Sequence, residues 1–494
     1  MEAEAHRPLG DTALDTIIAQ AKTDRSRLDS GALGPVSLTA LGIASVVGAG
    51  IFVSVGTGAA QYAGPGVVIS FVIAGIAAGV TALCFAELAS MIPAAGSTYS
   101  YAYAAFGVFV AWFIGWDLLL EYLFAASTVA VGWAGYAVDM LDSVGIHVPS
   151  DLANPPISDS GSTTGVINLP AIFVVALTCG LLAFGMRQSA RANNSMVFLK
   201  MAILILFVVV GAFAVTADNW SPFVPGNEGG FGDYGASGVI RAAGLVFFAY
   251  VGFDAVSTAA AEARNPQRTV PIGLIATVII STLLYIAIGL VMTGMAPYTD
   301  LNTADPISSA IRIGDAGKWL EEAVDVAAVV GLFSTVLVTF YGQTRIFMRM
   351  SSDGMLPPAI GKVSKRFKTP VTATLICGVV GGIVAGFVPI QTLTNLVSIG
   401  TLAAFLIVCS GLLYLRRTRP DLERPFRVPA APLTAGFGIF ASICLIVTLP
   451  VDTFVRLIVW LLIGLVIFFL YARSHTRERF AAIQRGDYVP PEDV

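Results

Sequence analysis

Gly48, Ala49 and Gly50 stand in the middle of an uncharged apolar run, "SVVGAGIFV" from Ser45 to Val53, where a helix surrounded by lipid gains nothing from glycine. A helix that unwinds in hydrocarbon leaves N–H and C=O groups unpaired, so a break persists only where something polar satisfies it. Glycine permits the departure from helical dihedrals and lets a ligand reach the backbone with no Cβ in the way. From Val47 to Ile51 the chain would then offer the positive N-terminal end of a second half-helix, a seat for a carboxylate. A second interruption, "FFAYVGFDA", carries Gly252 and Asp254, and its first half would end in carbonyls suited to an ammonium group. An anion seat opposite a cation seat complements an α-amino acid zwitterion. Close packing between helices is the competing reading of the glycine pair, but packing does not call for an acid at Asp254.

Ionisable residues inside apolar segments add to this chemistry. Lys200, in "NNSMVFLKMAILILF", lies about 9 Å along a helix that starts near Asn194, at 1.5 Å per residue. Its stem can snorkel to the surface, or its ammonium can sit inside and exchange a proton. Asp117 and Glu121 are four apart and share a helix face. Glu121, with Asp254, is placed to receive a cationic side chain, relay a proton or pair with Lys200, and an interhelical hydrogen bond is the structural alternative. Glu87, before "MIP", and Glu262, opening "EARNPQ", end their helices where Arg264 or Arg345 would reach them, as a gate or as static ion pairs. Phe253 or Phe248, beside the second interruption, is a candidate lid, with ordinary core packing as the alternative.

These residues need membrane helices to position them. Of the 494 residues 56% are hydrophobic and 12% charged, far from a soluble composition. Breaking the apolar runs at Pro, Gly and charge clusters gives twelve helices, at 36–60, 66–91, 107–138, 168–186, 194–217, 238–262, 271–294, 321–348, 371–389, 392–415, 430–450 and 453–472. Most Lys and Arg fall in the two tails and the even-numbered loops, including "KVSKRFK" and "RRTRPDLERPFR", so both termini are expected in the cytoplasm of a plasma-membrane protein. The other loops are acidic. Interruptions in the first and sixth helices fit a five-helix repeat, whose odd number inverts the second copy. The expected organisation is a tail at 1–30, helices 1–5 over 31–217, helices 6–10 over 218–416, helices 11 and 12 over 417–472, and a tail at 473–494. The polar N-terminus lacks the pattern of a signal peptide.

By "SVVGAGIFV", "CFAELASMIPAAGSTYSYAY", "FIGWDLLLEY", "VFFAYVGFDAVSTAAAEARNPQRTVPIGL" and "GQTRIFMRMSSDGMLP", the chain closely resembles the amino acid-polyamine-organocation superfamily and, within it, the cationic amino acid transporter family. The resemblance spans helices 1–10. It implies an all-α integral membrane protein with a LeuT-like five-plus-five inverted repeat and two additional C-terminal helices. It further implies Gly48, Ala49 and Gly50 for a substrate carboxylate and the backbone of Phe248, Ala249 and Val251 for the amine. Lys200 would stand where sodium-coupled relatives bind sodium, with Ser334 and Thr335 of helix 8 as partners. Leu332 and Phe333, preceding them, would line the side-chain end of the pocket, where bulk favours small substrates such as alanine.

The expected activity is secondary active transport of L-amino acids, cationic or small neutral, by proton symport. Exchange, or polyamine transport, is the alternative within the superfamily. No GxxxxGK[ST] serves an ATP-driven pump. His6, His147 and His475 lie in tails or a loop with no HExxH, so neither a metal nor any other cofactor is expected. The five cysteines show no CxxC spacing and read as packing residues. Expected partners are the amino acid, protons and the lipid bilayer, with no nucleic acid and a monomeric state.

Overall fold

The computed structural model describes residues 33–92, 97–156, 165–184, 190–258, 263–364, 367, 369–476 and 478–479. Glu262 and most of both tails lie outside the described residues. Helix falls on all twelve expected segments. Helix 1 is in two parts, Pro35–Val46 and a second half built from Gly50–Ser54, Val55–Gly58 and Ala59–Ala63, the first and last of these in π turns. Helices 2 to 5 are Val67–Met91, Val108–Ser143, Leu169–Ala183 and Ala190–Gly211. Helix 6 runs Gly235–Val246, tightens to a 3₁₀ turn at Phe247–Tyr250, and resumes at Ala255–Thr258. Helices 7 to 12 are Pro266–Met295, Lys318–Ser352, Val371–Phe387, Ile390–Thr418, Ala431–Val447 and Val451–Ile467.

Among the described residues, eight stretches are long and apolar enough to cross a membrane, and the first half of helix 1 with helices 4, 9 and 11 are shorter apolar helices. Helix 7 opens at Pro266 rather than Pro271, because Asn265 at φ 140 breaks the chain and Pro266 at the first position has its φ preset for a helix. Two elements were not expected. Ser97–Phe106 forms a helix between helices 2 and 3, and the connection between helices 7 and 8 folds into Tyr298–Leu301 and Pro306–Ile313.

Helices five apart in sequence pack together: helix 2 on helix 7, helix 3 on helix 8 and helix 4 on helix 9, each an extensive contact. Helices 1 and 6 meet at their interruptions, at the centre of this arrangement. Helix 12 is the least buried of the long helices and adds to the outside. The loops after helices 2, 4, 6, 8 and 10, which carry most of the basic loop residues in the sequence, are called the basic face and the other loops the acidic face. On the basic face Arg424 closes the end of helix 10, donating to the carbonyls of Leu415 at 3.1 Å, which also accepts the Arg419 amide at 3.0 Å, and of Arg419 at 2.8 Å.

Candidate functional site

Helix 1 stops at an inverse γ-turn. Val47 has φ −78° and ψ 86°, and the amide of Gly48 donates back to the Val46 carbonyl at 2.9 Å. Helix 6 breaks differently. Val251, at φ −62° and ψ 134°, is followed by Gly252 at φ 100°, the dihedral sequence of a type II turn that only glycine adopts without strain at its second position.

The two breaks touch through their glycines. A Cβ on Gly50 would lie 2.2 Å from the Ala249 Cα, and one on Gly252 would lie 2.5 Å from the Ser45 Oγ. Gly50 is therefore required by backbone contact with helix 6. Gly48 faces elsewhere, with its Cβ direction meeting the Thr335 methyl at 3.2 Å and Val129 at 3.9 Å. Ala49 and Ile51 are buried between them.

Lys200 reaches the first break. It does not snorkel: the side chain is buried, and Nζ donates to the carbonyls of Ala44 at 2.7 Å and Val47 at 2.8 Å, with the Thr335 hydroxyl at 3.5 Å. These carbonyls belong to the negative C-terminal end of the first half-helix, where a cation is favoured by both the dipole and the unused acceptors. Gly331 gives the lysine stem its room, since a Cβ there would lie 3.1 Å from the Lys200 Cβ. Thr335 is itself oriented by donating to the Gly331 carbonyl at 3.0 Å, and Ser334 is buried beside it.

Tyr285 of helix 7 joins the two breaks. Its hydroxyl lies 3.0 Å from the Val46 carbonyl and 2.9 Å from the Ala249 carbonyl, so one proton serves an acceptor of each interrupted helix. Sequence reasoning missed it. A lone tyrosine in "STLLYIAIG" carries no spacing that distinguishes it from core. Of the expected amine seat, the Ala249 carbonyl thus accepts from Tyr285, and the Phe248 carbonyl accepts the Val251 amide at 3.1 Å.

Other expected residues gather elsewhere. Glu121 and Asp117 are buried on helix 3; Glu121 lies within electrostatic reach of both Asp254 and Asp117, with the Thr401 hydroxyl beside it. Val129, next to Gly48, is eight residues further along helix 3, so Glu121 stands about 12 Å toward the basic face from the first break. Phe253 is packed among Phe85 and Phe405, with ring centroids at 5.6 and 5.1 Å, on the basic side of the helix 6 break. Phe248 and Leu332 are buried.

Glu87 corrects one expectation. Its partners are neither Arg264 nor Arg345 but Arg416, whose Nε donates at 2.9 Å, the Val428 amide at 2.7 Å, and Arg424 at 3.5 Å. The carboxylate has no exposure and ties helix 2 to the end of helix 10 and the loop after it. Arg345 instead donates to the Tyr341 hydroxyl at 2.6 Å. Sequence distance hid this pairing, because the basic loop that supplies it lies at the far end of the chain.

Many apolar helices of spanning length, with two of the twelve segments broken where they meet, define a multi-pass membrane protein organised around a central interruption. Comparison with known proteins specifies it further. A family model described as amino acid permease matches residues 33–473. The chain is 42% identical over 467 residues to the methylthioribose transporter of Bacillus subtilis (strain 168), covering 94% of this chain and 97% of that one. It is 43% identical over 445 residues to the branched-chain amino acid permease BcaP of the same organism, covering 90% and 94%. It is 35% identical over 391 residues to the vacuolar cationic amino acid transporter 4 of Arabidopsis thaliana, covering 79% and 64%. The chain belongs to the amino acid permease family of the amino acid-polyamine-organocation superfamily.

Proposed function

We propose that this protein carries L-amino acids across the plasma membrane by alternating access, as a proton symporter with its basic face and both termini in the cytoplasm. The observation that carries the reading is the Lys200 ammonium on the carbonyls of Ala44 and Val47 at the helix 1 break. The packing of helices five apart around helices 1 and 6 supports an inverted five-plus-five arrangement with helices 11 and 12 outside it.

Protonated Lys200 caps the first half of helix 1 and holds it against helices 5 and 8. Loss of the proton removes the charge that strengthens both hydrogen bonds and its attraction to the half-helix dipole, and the half-helix is then held less firmly and can swing on the basic face. The substrate carboxylate takes the N–H end at Gly48 to Gly50. Its ammonium takes helix 6 carbonyls around Phe248, Ala249 and Val251, displacing the Tyr285 hydroxyl. Glu121 and Asp254, displaced toward the cytoplasm, fit a proton relay better than contact with the zwitterion.

The direct test is uptake of a labelled amino acid panel into proteoliposomes under imposed pH or sodium gradients. Sodium dependence without pH dependence overturns the symport mechanism. The panel should include small neutral, branched-chain and cationic amino acids, because the named relatives divide between branched-chain and cationic substrates. The relative named for methylthioribose supports a second reading, a ribose derivative as cargo. Competition by amino acid amides as strong as by free amino acids would remove the carboxylate seat and favour a polyamine, whereas competition by methylthioribose with none by any amino acid would favour the ribose derivative.

A further inference from the structure

Helix 12 is fixed to helix 3 by indole rings. Trp112 Nε1 donates to the Gly464 carbonyl at 2.9 Å, while Trp116 and Trp460 stack with centroids at 4.6 Å and each donates to the other's carbonyl, at 2.8 and 3.1 Å. The stretch Val451–Thr476 has 26 residues, about 39 Å of helix against a hydrocarbon layer of about 30 Å, so its end stands beyond the apolar layer. A π turn at Phe468–Ala472 precedes that end, and helix continues over 473–476 and 478–479. There the chain lies on the turn after helix 8, where a Cβ on Gly354 would be 3.3 Å from the His475 carbonyl oxygen.

Asp353, buried in this turn, accepts from three elements. Arg479 Nη1 donates to Oδ1 at 2.5 Å, and Oδ2 accepts from the Tyr99 hydroxyl at 2.8 Å and from Arg349 Nε at 3.2 Å. Tyr99 belongs to the helix Ser97–Phe106, which joins helix 2 to helix 3. Helix 2 packs on helix 7 and helix 3 on helix 8, so this joining helix bridges two helix pairs and takes up any change of angle between them. Its tie to Asp353 resists that change. Arg479 occupies one carboxylate oxygen and thereby presents the other to Tyr99.

We infer that the end of helix 12 is an autoinhibitory strap, in which Arg479 is the positioning residue that aims Asp353 at Tyr99, and that its release speeds transport. The inference rests on the alternating-access reading above and adds a restraint on its rate. A tie made in one of two alternating states deepens that state and slows departure from it. Asp353 lies eighteen residues beyond Thr335, about 27 Å along helix 8, so the strap takes no part in binding at the breaks. Without Arg479 the carboxylate still has Arg349 and Tyr99, so removing the strap does not leave a buried charge unpaired.

The test joins amide hydrogen exchange, read without substrate, to uptake. Arg479→Gln is expected to speed exchange over residues 97–106 at least about fivefold, with Arg479→Lys between it and the unaltered protein. It is also expected to raise the maximal uptake rate about threefold with KM changed less than about twofold, since binding is intact and only the restraint is gone. In an Asp353→Asn background, Arg479→Gln is expected to add less than about a third of either effect, because the group it aims is already altered. Unchanged exchange in a folded, monodisperse Arg479→Gln protein overturns the inference, as does faster exchange with an unchanged or lower maximal rate. Full effects of Arg479→Gln on top of Asp353→Asn overturn it as well. Should Arg479→Gln fail to fold, a chain ending at Thr476 removes the same guanidinium and is read by the same measurements. A wrong substrate or coupling ion leaves the exchange result standing, while absence of uptake for every solute in the panel counts against the transport reading, and exchange then decides the strap.

Discussion

Gly50 of helix 1 and Ala249 of helix 6 meet backbone to backbone, with a Gly50 Cβ position only 2.2 Å from the Ala249 Cα. That contact makes the two interruptions one unit. It also separates the glycines of "SVVGAGIFV" by task, because Gly50 is spent on the neighbouring helix whereas Gly48 faces Thr335 and Val129.

Gly50→Ala is expected to cost roughly 1–3 kcal/mol, since the added methyl meets backbone that cannot rotate away. Gly48→Ala, facing the end of a side chain at 3.2 Å, is expected to fold nearly normally and to lose substrate affinity instead. Thermal unfolding in detergent beside a binding isotherm for each variant separates the two, and equal destabilisation would contradict the division of tasks.

Lys200→Ala leaves the carbonyls of Ala44 and Val47 without their cation, a loss of about 1.5–3 kcal/mol for each hydrogen bond to a charged group. Uptake driven by an imposed pH gradient is expected to disappear. A Lys200→Ala protein that still responds to the pH gradient rules the lysine out as the coupling group.

Tyr285→Phe removes the hydroxyl shared by the two breaks while keeping its ring against Phe71 and Tyr250. Two buried carbonyls lose a donor, so stability should fall by about 1–3 kcal/mol in the ligand-free protein. Saturating substrate should recover part of that loss if its ammonium replaces the hydroxyl at Ala249. Equal melting shifts with and without substrate would show that the two do not share a place.

Glu87 shows where sequence reading stopped. An acid at the C-terminal end of helix 2 is visible as an anomaly, but its partners are Arg416, Arg424 and the Val428 amide, over three hundred residues away. Tyr285 shows the opposite failure: nothing in its local pattern marks it, and only the convergence of Val46 and Ala249 gives its hydroxyl a purpose.

The sequence by itself determined the twelve apolar segments and the two interruptions, because these follow from uninterrupted apolar length and from glycine where a helix should have none. It also marked Lys200 as out of place, since an ammonium in an apolar run is costly wherever it points. Which way it points was decided by the tertiary structure. Only packing brought Gly50 onto Ala249 and Lys200 onto the carbonyls of Ala44 and Val47, because each of these contacts joins elements distant in the chain and is fixed by how helices approach one another rather than by any local preference.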